Sequence, residues 1–269
     1  MRIDCGPSAD LCARLGRPCD AFGVVHVTGT KGKGSTVALV EAGLLAAGLR
    51  AGAYLSPHVE RVTERVRIGG ASIDDLALAA ALERAWRARE DAAAAGSAAR
   101  EATWFDVFTN AAFDALRAAG LEWAAIEVGI GGRLDSTNVV PGAVCVITNV
   151  SLEHTQMLGA TRAAIAREKA GILKPGCSVV TALPEEDEAG AIVAQRAREL
   201  GVPVRRPAPG ALSGLDHAAI DACIAGLALD ALGERGVRGR DGRAIGAHLL
   251  DAPARERARL PARAERFVV

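Results

Sequence analysis

The residues with the clearest chemical potential lie in one short stretch, residues 28–36, which reads TGTKGKGST. Its glycines and lysine follow the spacing G-x-x-G-K-G-S, two residues shorter than the common phosphate-binding pattern G-x-x-x-x-G-K-[ST]. Glycines let backbone N–H groups approach an anion, and a lysine adds a compact positive charge. The stretch therefore predicts a loop for nucleotide phosphates, with a glycine-rich turn carrying solvated lysines as the alternative. The residues predicted to contact the nucleotide are Gly29, Thr30, Gly32, Lys33, Gly34, Ser35 and Thr36.

Polar residues follow or end three further apolar segments. Ser56 comes directly after the segment RAGAYL, Glu127 lies within WAAIEV, and His154 follows AVCVITNV. A glutamate inside an apolar strand is costly unless it is paired or bound to a metal. A structural salt bridge at Glu127 and a packed or exposed imidazole at His154 remain open. Together with the phosphate loop, this carboxylate and this histidine could hold ATP and divalent cations, which favours phosphoryl transfer.

The segments that must position these residues alternate between β-branched runs and Ala/Leu-rich runs. Such alternation predicts a parallel sheet covered on both faces, with ligands bound at the carboxyl ends of its strands. The fold class that we predict is a three-layer α/β/α domain with a mostly parallel sheet and a phosphate loop. The predicted strands are 22–27, 50–55, 123–128, 143–150, 178–182 and 202–205, and the predicted helices are 35–47, 74–95, 104–119, 161–173, 185–200 and 216–232.

Composition excludes several classes of protein. The 269 residues carry a net charge of zero, so no overall basic field favours nucleic acid or an anionic membrane. No apolar run has the length of a bilayer span, and the N-terminus lacks a signal-peptide pattern. The six cysteines form no CxxC pair, which argues against a zinc site. We expect a cytoplasmic monomer without nucleic-acid or membrane partners.

The end of the sequence differs in composition from the rest. Residues 233–269 are rich in glycine, arginine and proline and poor in apolar side chains. We therefore predict one domain over residues 1–235, followed by a linker or an incomplete element over residues 236–269.

Six motifs occur in an order that is specific as a set: TGTKGKGST, YLSPH, TERVRIGG, EVGIGGRLDSTNVV, ITNVSLEHTQMLG and REKAGILKPG. With them the sequence resembles the folylpolyglutamate synthase/dihydrofolate synthase family of the Mur ligase superfamily, over about residues 3–182. The resemblance implies a fold like the central domain of Mur ligases. It also implies an ATP- and Mg²⁺-dependent ligase of folate metabolism that joins L-glutamate to dihydropteroate or a tetrahydrofolate through an acyl phosphate.

The resemblance also implies roles for individual residues. Lys33 would contact the ATP phosphates, and Lys169 would carry a carbamate. His154 would act with them in catalysis as a metal ligand. The implied magnesium ligands, at two sites, are Ser35, Ser56, Glu127 and His154, and the implied nucleotide-pocket residues include Asp135 and Asn138.

Lysine usage bears on the implied role of Lys169. The sequence has only four lysines among 32 basic residues: Lys31, Lys33, Lys169 and Lys174. A buried lysine can lose its proton, whereas an arginine in a protein cannot. Retention of a lysine at position 169 therefore favours chemistry that needs an amine, with an ordinary surface lysine as the alternative. We interpret Lys174 as a solvated helix end.

The family pattern continues with a second α/β domain that is not found in this sequence. Three hypotheses follow. The first is a folate ligase represented by its ATP-binding domain, acting as a fragment or with a separate chain that supplies the C-terminal domain. The second is a stand-alone ATP-binding or ATPase module. The third is a ligase of the same superfamily that acts on another acyl substrate.

Overall fold

A computed structural model describes residues 4–260 and shows one sheet of eight strands between two layers of helices. The strands are β1 (Gly23–Thr28), β2 (Ala51–Tyr54), β3 (Val66–Ile68), β4 (Ala71–Ser72), β5 (Trp123–Glu127), β6 (Gly142–Ile147), β7 (Ser178–Thr181) and β8 (Val204–Arg205). Their order in the sheet is β4-β3-β2-β5-β1-β6-β7-β8. Six strands run parallel, and β3 and β4 pair antiparallel at one edge.

Helices occupy both faces of this sheet, because alternate strand residues point to opposite sides. They are α1 (Gly6–Arg14), α2 (Lys33–Ala46), α3 (Asp75–Ala94), α4 (Trp104–Ala118), α5 (Thr155–Leu158), α6 (Arg162–Ala170), α7 (Glu188–Leu200), α8 (His217–Glu234) and α9 (Ala252–Arg257). Val25 and Val27 pack in the cluster with α2, α8 and α9, whereas Val24 packs in the cluster with α1, α3 and α4. Cys145 and Ile147 lie in the cluster with α6 and α7. The predicted three-layer fold is confirmed.

Helix α3 was predicted to begin at residue 74 and begins at Asp75. Asp74 is its N-cap, because the Asp74 carboxylate accepts the N–H groups of Leu76 and Ala77. Helix α1 and the hairpin β3–β4 were not predicted. The hairpin extends the sheet by pairing with β2, as at the Tyr54–Val66 position. A three-residue strand and a two-residue strand are too short to show a period in sequence.

The segment predicted to be a linker is packed where the structure describes it. Ile245, Leu250, Ala254 and Ala258 are buried in the core cluster formed with α2 and α8. The domain boundary at residue 235 stays a prediction, and residues 261–269 lie outside the described part. In residues 4–260, no helix combines the length and the apolarity that crossing a bilayer requires.

Replacement of Leu250 by alanine tests whether this segment stabilises the domain. Leu250 is 5% exposed, so we expect Leu250→Ala to lower the free energy of unfolding by about 2–4 kcal/mol. Urea denaturation measures the loss. The control is Leu76→Ala on α3, because Leu76 is 80% exposed and should change stability by about 0.5 kcal/mol or less. Equal effects of the two variants would show that residues 245–258 do not stabilise the core.

Candidate functional site

The predicted phosphate loop connects the end of β1 to the start of α2. Helix α2 begins at Lys33, two residues earlier than predicted, and Gly32 caps it in the left-handed region with φ +78°. A Cβ at Gly32 would lie 2.2 Å from Asp221 Oδ1, and a Cβ at Gly29 would lie 1.8 Å from Thr148 Oγ1. Both positions therefore require glycine, which brings the loop backbone close to its neighbours.

The loop is held by the residues that follow β6. Thr30 N donates to Asn149 O at 3.1 Å, and Lys31 N donates to Asn149 Oδ1 at 3.0 Å. Thr148 Oγ1 donates to Lys31 O at 2.7 Å. These bonds connect the phosphate loop to the residues that follow β6. Sequence reasoning missed Thr148 and Asn149, although two polar residues directly after a buried strand were the available signal.

The loop has the features that a nucleotide phosphate with Mg²⁺ requires. The first turn of the 14-residue helix α2 points N–H groups and the positive end of its dipole at the loop. The Lys33 ammonium lies 3.4 Å from Thr30 O, and the side chain is half-buried. Thr36 Oγ1 is fully buried and has no hydrogen-bond partner in the described residues, and Ser35 is half-buried one position earlier. These groups fit a phosphate and its cation.

A Cβ at Gly32 should disrupt this loop. We expect Gly32→Ala to destabilise the protein by about 1–3 kcal/mol, because the new atom meets Asp221 and the residue keeps a positive φ. Nucleotide binding should fall with it. Gly176→Ala is the matched control: Gly176 has φ +79°, and a Cβ there would meet no atom of residues 4–260 within 4 Å. Thermal unfolding and nucleotide titration of both variants check this. Unchanged nucleotide affinity in Gly32→Ala would contradict the role of the loop.

Lys169 reaches the same loop from α6. Its side chain is 3% exposed, and Nζ donates to Gly29 O at 2.7 Å. Burial lowers the pKa of Lys169 to about 7, with a further lowering by the charge of Lys33, whereas Glu153 and Asp135 act in the opposite direction. The alternative of an ordinary surface lysine is therefore wrong. The amine is buried beside the phosphate loop and is partly neutral near pH 7.

Burial of the Lys169 amine predicts an unusual dependence of stability on pH. The folded-state pKa of about 7 lies below the ordinary value of 10.5, so between these values the unfolded chain holds a proton that the folded chain lacks. Stability should therefore rise with pH from about 7 to about 10, by at most about 1.4 kcal/mol per pH unit from this group. Urea denaturation at pH 7 and pH 9 should show this rise in the natural chain and a smaller rise in Lys169→Met. Identical slopes would mean that Lys169 is charged when buried.

The predicted metal ligands are brought together in part. Glu127 ends β5 at 2% exposure, and its Oε2 accepts the N–H of Ser56, which follows β2, at 3.0 Å. These strands are neighbours in the sheet. His154 is exposed and has a left-handed backbone with φ 51° before α5. No group of three or more His, Cys, Asp or Glu side chains that could hold a metal occurs within residues 4–260. Magnesium ordinarily keeps several waters and uses substrate phosphates, so a site with the single carboxylate of Glu127 is compatible with such an ion.

The segment after β5 is fixed by internal hydrogen bonds. Asp135 is 6% exposed and accepts Thr137 N, Thr137 Oγ1 and Ile130 N. Burial raises the pKa of Asp135, and these hydrogen bonds oppose the rise. Asn138 donates to Arg133 O and Gly171 O, while its buried Oδ1 has no partner in residues 4–260. Direct contact of Asp135 or Asn138 with a nucleotide stays a prediction.

The interpretation of Lys174 as a solvated helix end is wrong. Lys174 is half-buried, and Nζ donates to Asn138 O at 2.6 Å and also to Val140 O. A compact ammonium fits between two carbonyl oxygens where a planar guanidinium would not. Three of the four lysines therefore have defined positions: Lys33 and Lys169 at the phosphate loop, and Lys174 behind the 136–140 segment.

Comparison with known proteins gives a family model for most of the chain. Residues 27–208 match the Mur ligase middle domain. The dihydrofolate synthase/folylpolyglutamate synthase of Escherichia coli (strain K12) is 39% identical over 196 residues, which is 73% of this chain and 44% of that protein. The chain thus spans less than half the length of this curated relative.

Solved structures agree with the sequence match. The apo form of L. casei FPGS superposes with a TM-score of 0.86 at 30% identity, covering 100% of this chain and 70% of that chain. E. coli FolC in complex with DHPP and ADP superposes with a TM-score of 0.78 at 32% identity, covering 94% of this chain and 62% of that chain.

Proposed function

We propose that this chain, which belongs to the Mur ligase family through its middle domain, is the ATP-binding part of a folate-type ligase. The reaction would join L-glutamate to the carboxylate of dihydropteroate or a tetrahydrofolate at the expense of ATP. The support is the similarity to enzymes named dihydrofolate synthase/folylpolyglutamate synthase, one of them solved with ADP and DHPP. A cytoplasmic location and action as a monomer are further parts of this proposal.

One observation carries the proposal more than the others. The buried amine of Lys169 lies 2.7 Å from Gly29 O, in the loop that also presents Lys33. A phosphate-binding loop alone is compatible with any nucleotide-binding protein. A second, buried lysine with a pKa of about 7 adds a group that can react as a neutral amine, and a carbamate forms only on such an amine. A carbamate at Lys169 would supply a carboxylate for a magnesium ion.

The residues of this chain would act mainly by positioning and by balancing charge. The loop N–H groups and Lys33 would bind the triphosphate, which reduces the negative charge that an attacking carboxylate meets. The substrate carboxylate would attack the γ-phosphate, the bond to the β–γ bridging oxygen would break, and ADP would leave. Ser35, Ser56, Glu127 and His154 would hold magnesium, which neutralises negative charge where the carboxylate meets the phosphate. The resulting acyl phosphate would then be attacked by the amine of glutamate, and phosphate would leave.

A direct assay tests this function. The chain is incubated with ATP, Mg²⁺, L-glutamate and either dihydropteroate or a tetrahydrofolate, alone and with a separately supplied C-terminal domain, and mass spectrometry detects the added glutamyl residue. A product with either acceptor supports the proposal. ATP hydrolysis without product in both arms would instead favour a stand-alone ATPase module. Product only with a different acyl acceptor would favour another ligase of the superfamily.

A further inference from the structure

A buried histidine outside the proposed phosphate and magnesium sites lies on β1, two residues before the end of that strand. His26 is 0% exposed, and Nε2 lies 2.9 Å from Thr137 Oγ1. The same hydroxyl lies 2.6 Å from Asp135 Oδ1. Three polar side chains therefore form one continuous line, from the strand that carries the phosphate loop to the carboxylate that organises residues 129–137.

The donors and acceptors of these groups fix the direction of each hydrogen bond. Asp135 Oδ1 accepts the backbone N–H of Thr137 at 3.0 Å, and the Thr137 hydroxyl donates its single proton to the same oxygen. The hydroxyl oxygen must then accept from His26, which places the imidazole proton on Nε2. Nδ1 is left bare, and it has no partner among residues 4–260. The reverse direction would leave a buried N–H without an acceptor, which is the rarer and costlier arrangement.

The carboxylate at the far end of the line contacts the loop beside the phosphate site. Asp135 Oδ2 accepts Ile130 N at 3.0 Å, and Thr28 Oγ1 at the end of β1 donates to the neighbouring Gly131 O at 2.6 Å. Residues 129–137 are thus bonded to β1 at two places, through His26 to Thr137 and through Thr28 to Gly131. Displacement of Asp135 would move the 129–132 loop relative to the phosphate loop.

We propose that His26, as its Nε2–H tautomer, is a positioning residue that holds Thr137 and Asp135 and so sets the 129–132 loop against the phosphate loop. The effect of His26 on catalysis rests on the proposed function, whereas its tautomer and its hold on Thr137 and Asp135 do not. His26 touches neither nucleotide nor substrate in this scheme. Its effect passes through Thr137.

The tautomer of His26 is tested by NMR on the whole chain labelled with ¹⁵N-histidine. Long-range ¹H–¹⁵N spectra should show His26 as a neutral ring with a protonated Nε2 and a bare Nδ1, assigned by loss of the signals in His26→Gln. A protonated Nδ1 or an imidazolium would overturn the proposal. Amide hydrogen exchange of Ile130 and Thr137 should accelerate about tenfold in His26→Leu and recover in His26→Gln, whose amide nitrogen can donate in place of Nε2. Unchanged exchange in His26→Leu would also overturn it.

The catalytic effect is tested in the ligase assay. His26→Leu should lower kcat about tenfold and change the KM for ATP less than about threefold, because the phosphate loop itself is intact. Thr137→Val should give a similar loss, and the double variant should lose little more, since both changes break one line of bonds. Multiplied losses in the double variant would show that His26 acts independently of Thr137. If the chain has no ligase activity, the proposed function fails while the NMR and exchange results still decide the role of His26.

Discussion

Replacement of Lys33 by alanine is expected to weaken ATP binding about 100-fold, the largest effect on nucleotide affinity that we predict. The Lys33 side chain is half-buried at the first position of α2, where the helix dipole and the loop N–H groups also act on an anion. Loss of the ammonium removes a half-buried charge that we propose contacts the phosphates. Titration calorimetry with a non-hydrolysable ATP analogue and Mg²⁺ measures the change.

Lys31 provides a matched control for this experiment. Lys31 lies two residues earlier in the same loop, but its side chain is exposed, and its backbone atoms are bonded to Asn149 and Thr148. Lys31→Ala should therefore weaken ATP binding no more than about threefold, since an exposed charge is screened by water and salt. Equal losses in the two variants would mean that the loop acts through its summed charge and that Lys33 has no specific phosphate contact.

Sequence patterns predicted the fold well where elements are long and buried. The central parallel strands are near-continuous runs of Val, Ile and Ala, and each predicted strand lies within a few residues of its position in the structure. The short elements were missed. Helix α1 begins with Gly6, Pro7 and Ser8, and Leu11 and Cys12 are its buried apolar side chains. The strands of the β3–β4 hairpin are only three and two residues long, and β3 also pairs with β2.

The sequence predicted the two lysines of the candidate site but not the residues that hold the surrounding segments in place. Lys33 and Lys169 stand out by residue type in a chain that otherwise uses arginine, and the structure places both at the Gly29–Gly32 loop. The roles of three residues follow from contacts with residues distant in sequence. His26 and Asn149 contact residues more than 100 positions away, and Lys174 contacts a residue 36 positions away, so no local sequence pattern indicates these contacts. Long-range hydrogen bonds of this kind depend on tertiary packing.

Replacement of Lys169 by arginine should abolish ligation, with a loss of about 100-fold or more in kcat. Arginine keeps the positive charge but cannot become a neutral amine, and it cannot form a carbamate. Burial lowers the pKa of Lys169 to about 7, and we propose that the neutral amine is the reactive form, so a permanently charged guanidinium should not replace it. Ligation assays on the purified variant, with the acceptor that the natural chain uses, measure the loss.

Arg167→Lys is the matched control on the same helix, because Arg167 is exposed and should tolerate the exchange with its rate unchanged. The modification itself is tested by ¹³C NMR in ¹³C-bicarbonate, where a carbamate carbon signal should be present in the natural chain and absent from Lys169→Arg. Full activity of Lys169→Arg would show that site 169 needs only a cation, and the buried amine would then serve to hold Gly29 O.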